Sequence, residues 1–394
     1  KSGPPFFRHP CSIPHDNDPR WADLEGKDTI SFMKTHCQPG IRWMEVELPC
    51  SELEETVEFF TANLQFQLHS IFPADDPSVA VISGHGVKLR LNKEGTGGSG
   101  TLRLLCDDPG ALALGVTRLK APNGTRIELV KADPPLTLPP LKEEFVLTRM
   151  KKDQVWHPGR AGMQYRDLIP GRLGGRYIAS HIRILQGGPV HDYVHFHRIR
   201  FQLIYCFRGW VKAIYEDQGP SIAMQEGDCV LQPPGIRHRV VECSPGMEVI
   251  EIGSPARHET FADPDLELPN EDSITNRDFG DQRFVFHQAA QAERVSCPHE
   301  GFECVETGIG EATAGMVGVR ILEHLKKDNI GLLCHQGEFS FLFVLEGKMN
   351  LARADQGSHL MNETDCCVLP SGESPAISEC SDALKLLEVT LPAS

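Results

Sequence analysis

Residues 190–209 read VHDYVHFHRIRFQLIYCFRG, and the spacing inside this stretch decides the fold. His195 and His197 stand two apart, so on a β-strand both side chains project from one face. Gln202 follows after four residues, and Gly209 closes a turn after six more. Further on, residues 227–238 read GDCVLQPPGIRH, a strand running into a Pro-Pro-Gly turn that presents His238. Neutral imidazoles suit divalent transition metals, and a rigid strand pair can hold two of them side by side. A lone histidine is ordinarily a core or surface group with ordinary hydrogen bonds. Three at these positions, with an amide nearby, are expected to converge on one ion.

Outward from this stretch the chain repeats itself. Residues 195–217, HFHRIRFQLIYCFRGWVKAIYED, are echoed by 333–355, LCHQGEFSFLFVLEGKMNLARAD. The GDCVLQPPGIRH run is echoed by TDCCVLPSGESP at 364–375, and MEVIEIGSPA at 247–256 by LKLLEVTLPA at 384–393. The offset stays near 138 residues, the mark of a duplicated unit. Both copies are short alternating strands cut by Gly, Pro and Asp turns with hardly any helix signal, which predicts a pair of antiparallel β-barrels. The second copy keeps His335 where the first has His197, but Leu333, Ser340 and Pro375 replace His195, Gln202 and His238. One surviving ligand builds no site, so this barrel is expected to be structural.

The two separated motifs of the first copy resemble those of a metal-binding cupin: HxH, Gln202 and Gly209, then Gly227, Pro-x-Gly and His238. Residues 145–257 therefore resemble one cupin barrel and 284–394 a second, degenerate one, with 258–283 as a linker between them. The resemblance implies that His195, His197, Gln202 and His238 line one end of the first bore and hold a single divalent metal. Fe(II) is the favoured ion, with Zn, Ni and Mn open. Gln202 stands where the family usually has Glu. An amide leaves the ion its full charge and favours a small anionic or chelating substrate. The alternative is that Gln202 points elsewhere and three His suffice. His191 and Tyr193 share the strand parity of His195 and are the candidate catalytic groups. Arg198 and Arg200 could clamp a carboxylate, although the reading favours a solvated strand edge. Tyr165, Arg166 and Arg183 are candidates for the entrance.

Upstream, Arg42–Leu48 alternates like a strand, and 51–64 reads as an amphipathic helix with Ser51 as N-cap and Glu54 completing a capping box. Strand-like runs follow at Phe66–Phe72, Ser78–Ser83 and Val87–Leu91. This β-α-β-β-β order, with VEFFTANLQFQLHSIFP, AVISGHGVKLRLN and APNGTRIELVKA, resembles a vicinal-oxygen-chelate (glyoxalase-like) domain over 40–133. The resemblance implies a metal position near Glu45 and Glu128, but two carboxylates without a histidine make a poor transition-metal site, so the domain is expected to be structural. Residues 1–39 are expected to be an irregular arm and the Pro-rich 134–144 a linker. The fold class is thus mainly β: two cupin (jelly-roll) barrels preceded by an α+β glyoxalase-like domain.

A formal net charge of -15 argues against a broad nucleic-acid surface or docking on anionic membranes. The apolar runs are too short to cross a bilayer. The 13 cysteines are scattered without CxxC pairs, which predicts reduced thiols and a cytoplasmic protein, with Cys206 and Cys229 as small core hydrophobes. The first expected function is a mononuclear non-haem Fe(II) dioxygenase acting on a small organic anion. The alternatives are a non-oxidative isomerase, lyase or decarboxylase on the same metal, and a non-enzymatic binding or scaffold cupin. A homodimer through exposed sheet edges is the expected assembly.

Overall fold

The computed structural model describes residues 44–73, 77–112, 116–150, 155–270, 274, 276–325, 330–331, 335–353 and 357–393, and the chain divides after Pro134 into two compact units. The expected arm at 1–39 and the Leu333 position lie outside the described residues. No helix among them is long and apolar enough to cross a membrane.

In the first unit the strand Val46–Pro49 pairs in parallel with Val87–Asn92, which continues antiparallel to Val79–Gly84 and then Gln67–Phe72. The helix Leu53–Leu64 buries Leu53, Phe60 and Leu64 in one cluster with Ala80, Ile82, Leu89 and Leu91. The expected cap is corrected. The helix starts at Leu53 with Glu52 as N-cap and no side-chain cap bond, because the ladder runs on through Cys50, whose N–H donates to the Asn92 carbonyl. Ser51 and Glu52 are then spent on the turn. A second sheet orders Thr101–Cys106, Arg126–Lys131 and Arg118–Lys120. Glu45 is exposed and Glu128 pairs with Arg103 at 3.6 Å, so neither joins a metal cluster.

The second unit holds two double-sheet barrels. In the first, one sheet runs Val285–His287, Cys229–Gln232, Phe201–Arg208, Met247–Ser254, Ile178–Ile184, Gln164–Asp167 and His157–Pro158. Facing it are Ile222–Gln225, Trp210–Tyr215, His238–Cys243, His195–Arg198 and Glu259–Ala262. The second barrel repeats the plan around Phe339–Glu346 and Lys385–Leu391. Period-two alternation assigns each residue to a wall or a bore. Phe201, Leu203, Tyr205 and Phe207 enter one cluster with Phe339, Phe341, Phe343 and Leu345, so the barrels share a core along these strands. Tyr177 stacks on Phe339 at 4.1 Å within it. Each such aromatic, fully buried, contributes about 1.5–3 kcal/mol of transfer free energy.

The barrels also exchange their leading strands. Val146–Thr148 pairs with Cys366–Val368 of the second barrel, while Val285–His287 pairs with Cys229–Gln232 of the first. Two buried aspartates fasten the exchange in matching ways. The Asp228 carboxylate accepts from the Ala289 N–H at 2.8 Å, and Asp365 accepts from Met150 N–H at 2.9 Å. The repeat thus marks barrel edges that the chain then crosses over. The Pro-rich stretch is tied down too, Lys142 N–H donating to the Leu173 carbonyl at 3.1 Å.

One thiol expectation is overturned. Cys297, just past the strand Arg294–Ser296, forms a disulfide with Cys304 of the neighbouring strand, with Cα atoms 4.9 Å apart. Cys206 and Cys229 are fully buried and free, and burial pushes the Cys206 thiol up to about 12, as befits inert core thiols.

Candidate metal centre

His195 and His197 point inward from their strand while Phe196 and Arg198 point outward. His195 lies directly opposite His238 in the ladder, so the Pro-Pro-Gly turn delivers the third imidazole beside the first two. One ring nitrogen of each of the three lies within 4.8 Å of those of the other two. All three residues are at most 8% exposed, which excludes ordinary solvated histidines. Among the described residues this is the only group of three or more His, Cys, Asp or Glu able to share an ion.

The hydrogen bonds fix which nitrogen faces inward. His195 Nδ1–H donates to the Tyr193 carbonyl at 2.8 Å, and His238 Nδ1–H to the Ile236 carbonyl at 3.0 Å. His197 Nδ1 bonds the Thr260 hydroxyl at 2.8 Å. Carbonyls only accept, so Nε2 of His195 and of His238 each carries a lone pair; that of His195 accepts from Arg160 at 2.9 Å, a bond that a metal would displace. Burial, reinforced by the neighbouring imidazoles, lowers His197 to about 2, and burial with His195 lowers His238 to about 3. Burial also lowers His195. Neutral imidazoles are the ligating form.

Gln202 enters from the facing sheet, 3% exposed. Its Nε2 donates to Glu251, while its Oε1 is buried without a hydrogen-bond partner. An orphaned buried carbonyl costs about 1–3 kcal/mol. A cation beside the three imidazoles would relieve that cost, so the residues present fit a divalent metal.

The surrounding cavity of 240 Å³ is walled by Met163, Ile182, Val211, Met224 and Val249. At its mouth Arg160 donates to His195 Nε2 at 2.9 Å and pairs with Asp192, a carboxylate with no exposed side-chain surface. Asp192 is held by the Val240 N–H at 3.0 Å. His258 also lines the cavity, its Nδ1–H donating to the Pro255 carbonyl at 3.0 Å and its ring 5.2 Å from that of His197.

No protein-family model matches this chain, and no curated protein sequence matches it. Solved structures do resemble it. Protein Ylba from E. coli is 15% identical with a TM-score of 0.45, covering 63% of this chain and 90% of its own. Oxalate decarboxylase from Bacillus subtilis, solved at pH 4.6, is 13% identical with a TM-score of 0.46, covering 65% and 77%. A putative glyoxylate induced protein from Pseudomonas aeruginosa is 14% identical with a TM-score of 0.47, covering 66% and 93%.

Several expected site residues stand elsewhere. His191 and Tyr193 are exposed and do not line the cavity, because the strand begins only at His195 and parity does not carry back to them. Tyr193 holds His195 through its backbone carbonyl, and its ring, outside the cavity, lies 5.5 Å from that of His195 and 5.8 Å from the Arg160 guanidinium. Arg198 pairs with Glu259 at 3.1 Å on the rim, and Arg200 bonds Glu338 of the second barrel. Of the entrance candidates only Tyr165 lines the cavity. Arg166 is buried between the barrels, and Arg183 stacks on Trp156 at 3.9 Å. The segment 258–283, expected as a linker, is corrected: Glu259–Ala262 pairs with the ligand strand and delivers Thr260 and His258 to the site. The short alternation in HETFA was its sequence signal. Arg160, Asp192 and Glu251 carried none, since they reach the site only through the closed barrel.

Proposed function

We propose that the first barrel is a metal-dependent cupin active site for a small organic anion, with His195, His197, His238 and Gln202 holding one divalent metal. The observation that carries this reading is the donor set: three buried neutral imidazoles converging beside an orphaned amide oxygen. When bound, the metal supplies Lewis acidity toward an oxygen of the substrate. Arg160 presents a guanidinium at the mouth, suited to a carboxylate, and Asp192 orients it. The apolar walls exclude water and strengthen each of these interactions. His258 offers a nitrogen for proton transfer once Nδ1 is committed to the Pro255 carbonyl.

That positioned imidazole favours the non-oxidative reading, a lyase, decarboxylase or isomerase. Dioxygenase chemistry on Fe(II) is the second reading, favoured by a ligand set of three neutral imidazoles without a carboxylate bound directly. For the first unit we keep the glyoxalase-like resemblance as a proposal about fold only; its β-α-β-β-β strand order supports it.

Elemental analysis of protein purified without added metal, followed by turnover assays on small carboxylates with and without O2, tests the proposal. Stoichiometric metal with anaerobic turnover supports the first reading. Iron with strict O2 consumption supports the second. A wild-type protein that binds no metal after reconstitution overturns both.

A further inference from the structure

The contact between the barrels is built twice, and the strand registers fix which residues match. Arg166 faces His181 across its strand pair as Val305 faces Ile321. Arg208 faces Glu248 as Glu346 faces Lys385. Cys366 faces Thr148 as Cys229 faces His287.

One groove is full. Arg166, 1% exposed, donates to the Thr364 carbonyl at 2.9 Å and to His181 Nδ1 at 3.3 Å, and His181 Nε2 bonds Glu248 at 2.7 Å. Arg208 pairs with Glu363 and lies 3.5 Å from Glu248. Trp156 closes over His181 at 5.1 Å between ring centres. Three guanidiniums, Arg166, Arg183 and Arg208, stand against two carboxylates there, Glu248 and Glu363, so the groove is filled and well supplied with positive charge.

The matching groove is open. Val305 and Ile321 stand where Arg166 and His181 stand, and Arg294 faces Val305 from the neighbouring strand, the side from which Trp156 covers the other groove. A cavity of 250 Å³ remains, floored by Tyr205, Val305, Ile321 and Leu345. Glu346 replaces Arg208, Glu226 matches Glu363, and Lys385, 3.8 Å from Glu346, replaces Glu248. Arg294 and Glu323 also line the cavity and pair with each other at 2.7 Å. Three carboxylates, Glu226, Glu323 and Glu346, therefore line the cavity with two cations, Arg294 and Lys385, both of which Glu323 engages, at 2.7 and 3.6 Å, and one negative charge is left over. His287 lines the same cavity at 8% exposure, and its Nε2 has no hydrogen-bond partner. Burial lowers its pKa, so the ring is neutral and can accept a hydrogen bond.

We propose that this cavity binds a small organic cation, a guanidinium or primary ammonium on a short apolar chain, whose charge takes the place of Arg166 and whose N–H groups meet His287. The apolar floor would take the chain, and Glu226 and Glu346 the charge. Nothing in this site depends on the metal centre.

The test titrates the full chain with butylguanidinium, butylammonium and the neutral isostere butylurea, read by calorimetry and by the His287 ring signals in NMR. Saturable millimolar-or-better binding of a cation is expected, with butylurea weaker by about tenfold or more, equal to about 1.4 kcal/mol. Val305→Arg, which rebuilds the filled groove, should abolish binding and raise the melting temperature. His287→Phe fills the cavity by a second route and should also abolish binding, which covers the case that V305R does not fold. Failure of both cations to saturate, equal binding of butylurea, or binding that persists in a folded variant overturns the proposal.

Discussion

The two bores start from the same strand plan and end as opposites. In the first, Val211 and Ala213 leave a 240 Å³ cavity ringed by three histidines and Gln202. In the second, Met349 and Leu351 occupy the matching positions and, with Leu342 and Met361, are completely buried. Ser340 stands for Gln202, Pro375 for His238, and His335 turns its Nε2 to the carbonyls of Leu369 and Pro370 at 2.9 and 3.0 Å. A polar cavity weakens the barrel that contains it, because its walls lose dispersion contacts and its polar atoms lose water. The solid second barrel offsets that cost through the shared Phe-rich wall.

The sharpest break of this comparison removes one imidazole from each barrel. His238→Ala should lose metal entirely, well beyond the ~10–100-fold that outer partners of a metal site cost. His335→Ala should leave metal content unchanged. Elemental analysis of the two purified variants decides it, and equal metal in both would mean the first bore is not the binding site.

Exchanging the bore-filling side chains comes next. Leu351→Ala should destabilise the protein by about 2–5 kcal/mol, the usual range for emptying a packed core position. Ala213→Leu has room to enter the first cavity, so it should cost little stability while excluding substrate. Denaturant melts with parallel binding assays check both halves, and a large stability loss in the second variant would refute the cavity as drawn.

How much of this was legible beforehand differs by the range of the signal. His195, His197, Gln202 and His238 could be read because each lies on a motif whose spacing is local. The repeat gave both barrels, since 138-residue self-similarity needs no three-dimensional knowledge. Strand exchange was illegible: FVLT and FVFH look alike, and nothing in either tells which barrel it completes. Thr260, Glu251 and Arg160 reach the site only after closure brings distant strands together. The parity argument for His191 and Tyr193 failed because parity holds only inside a strand, and this one starts at His195.

The wall between the barrels has its own polar seam. Glu338 accepts from Tyr177 at 2.7 Å, from Arg176 at 2.9 Å and from Arg200. Burial alone would push its carboxyl up, but these three donors outweigh it and hold it at about 2, against 4.5 for the free group. A carboxylate depressed in the folded state adds stability that is complete above the unfolded value and lost as pH falls through the folded one. Glu338→Gln should therefore cost about 2 kcal/mol at neutral pH. The difference from wild type should shrink between pH 4.5 and 2. Urea midpoints measured across that range check the sign, and a pH-independent difference would remove the charge from the account.

The smallest expected effect tests how the first bore holds its amide. Gln202 could turn either oxygen or nitrogen toward the histidines, and only the oxygen can meet a cation. Glu251 decides this, because a carboxylate accepts only and so takes the amide N–H. Glu251→Gln replaces it with a group that can donate or accept, and Gln202 is then free to flip. Metal affinity should fall by about tenfold, the lower end for loss of an outer partner. Stability without metal should hardly change, since one neutral hydrogen bond replaces a charged one of similar net worth within about 1 kcal/mol. The second barrel has only Ser340 at this position, so Ser340→Ala is the matched control and should change neither quantity. Calorimetric metal titration of wild type and both variants separates the outcomes: a drop confined to E251Q assigns the orientation to Glu251, whereas unchanged affinity in a metal-binding protein would show that three imidazoles suffice and Gln202 faces elsewhere.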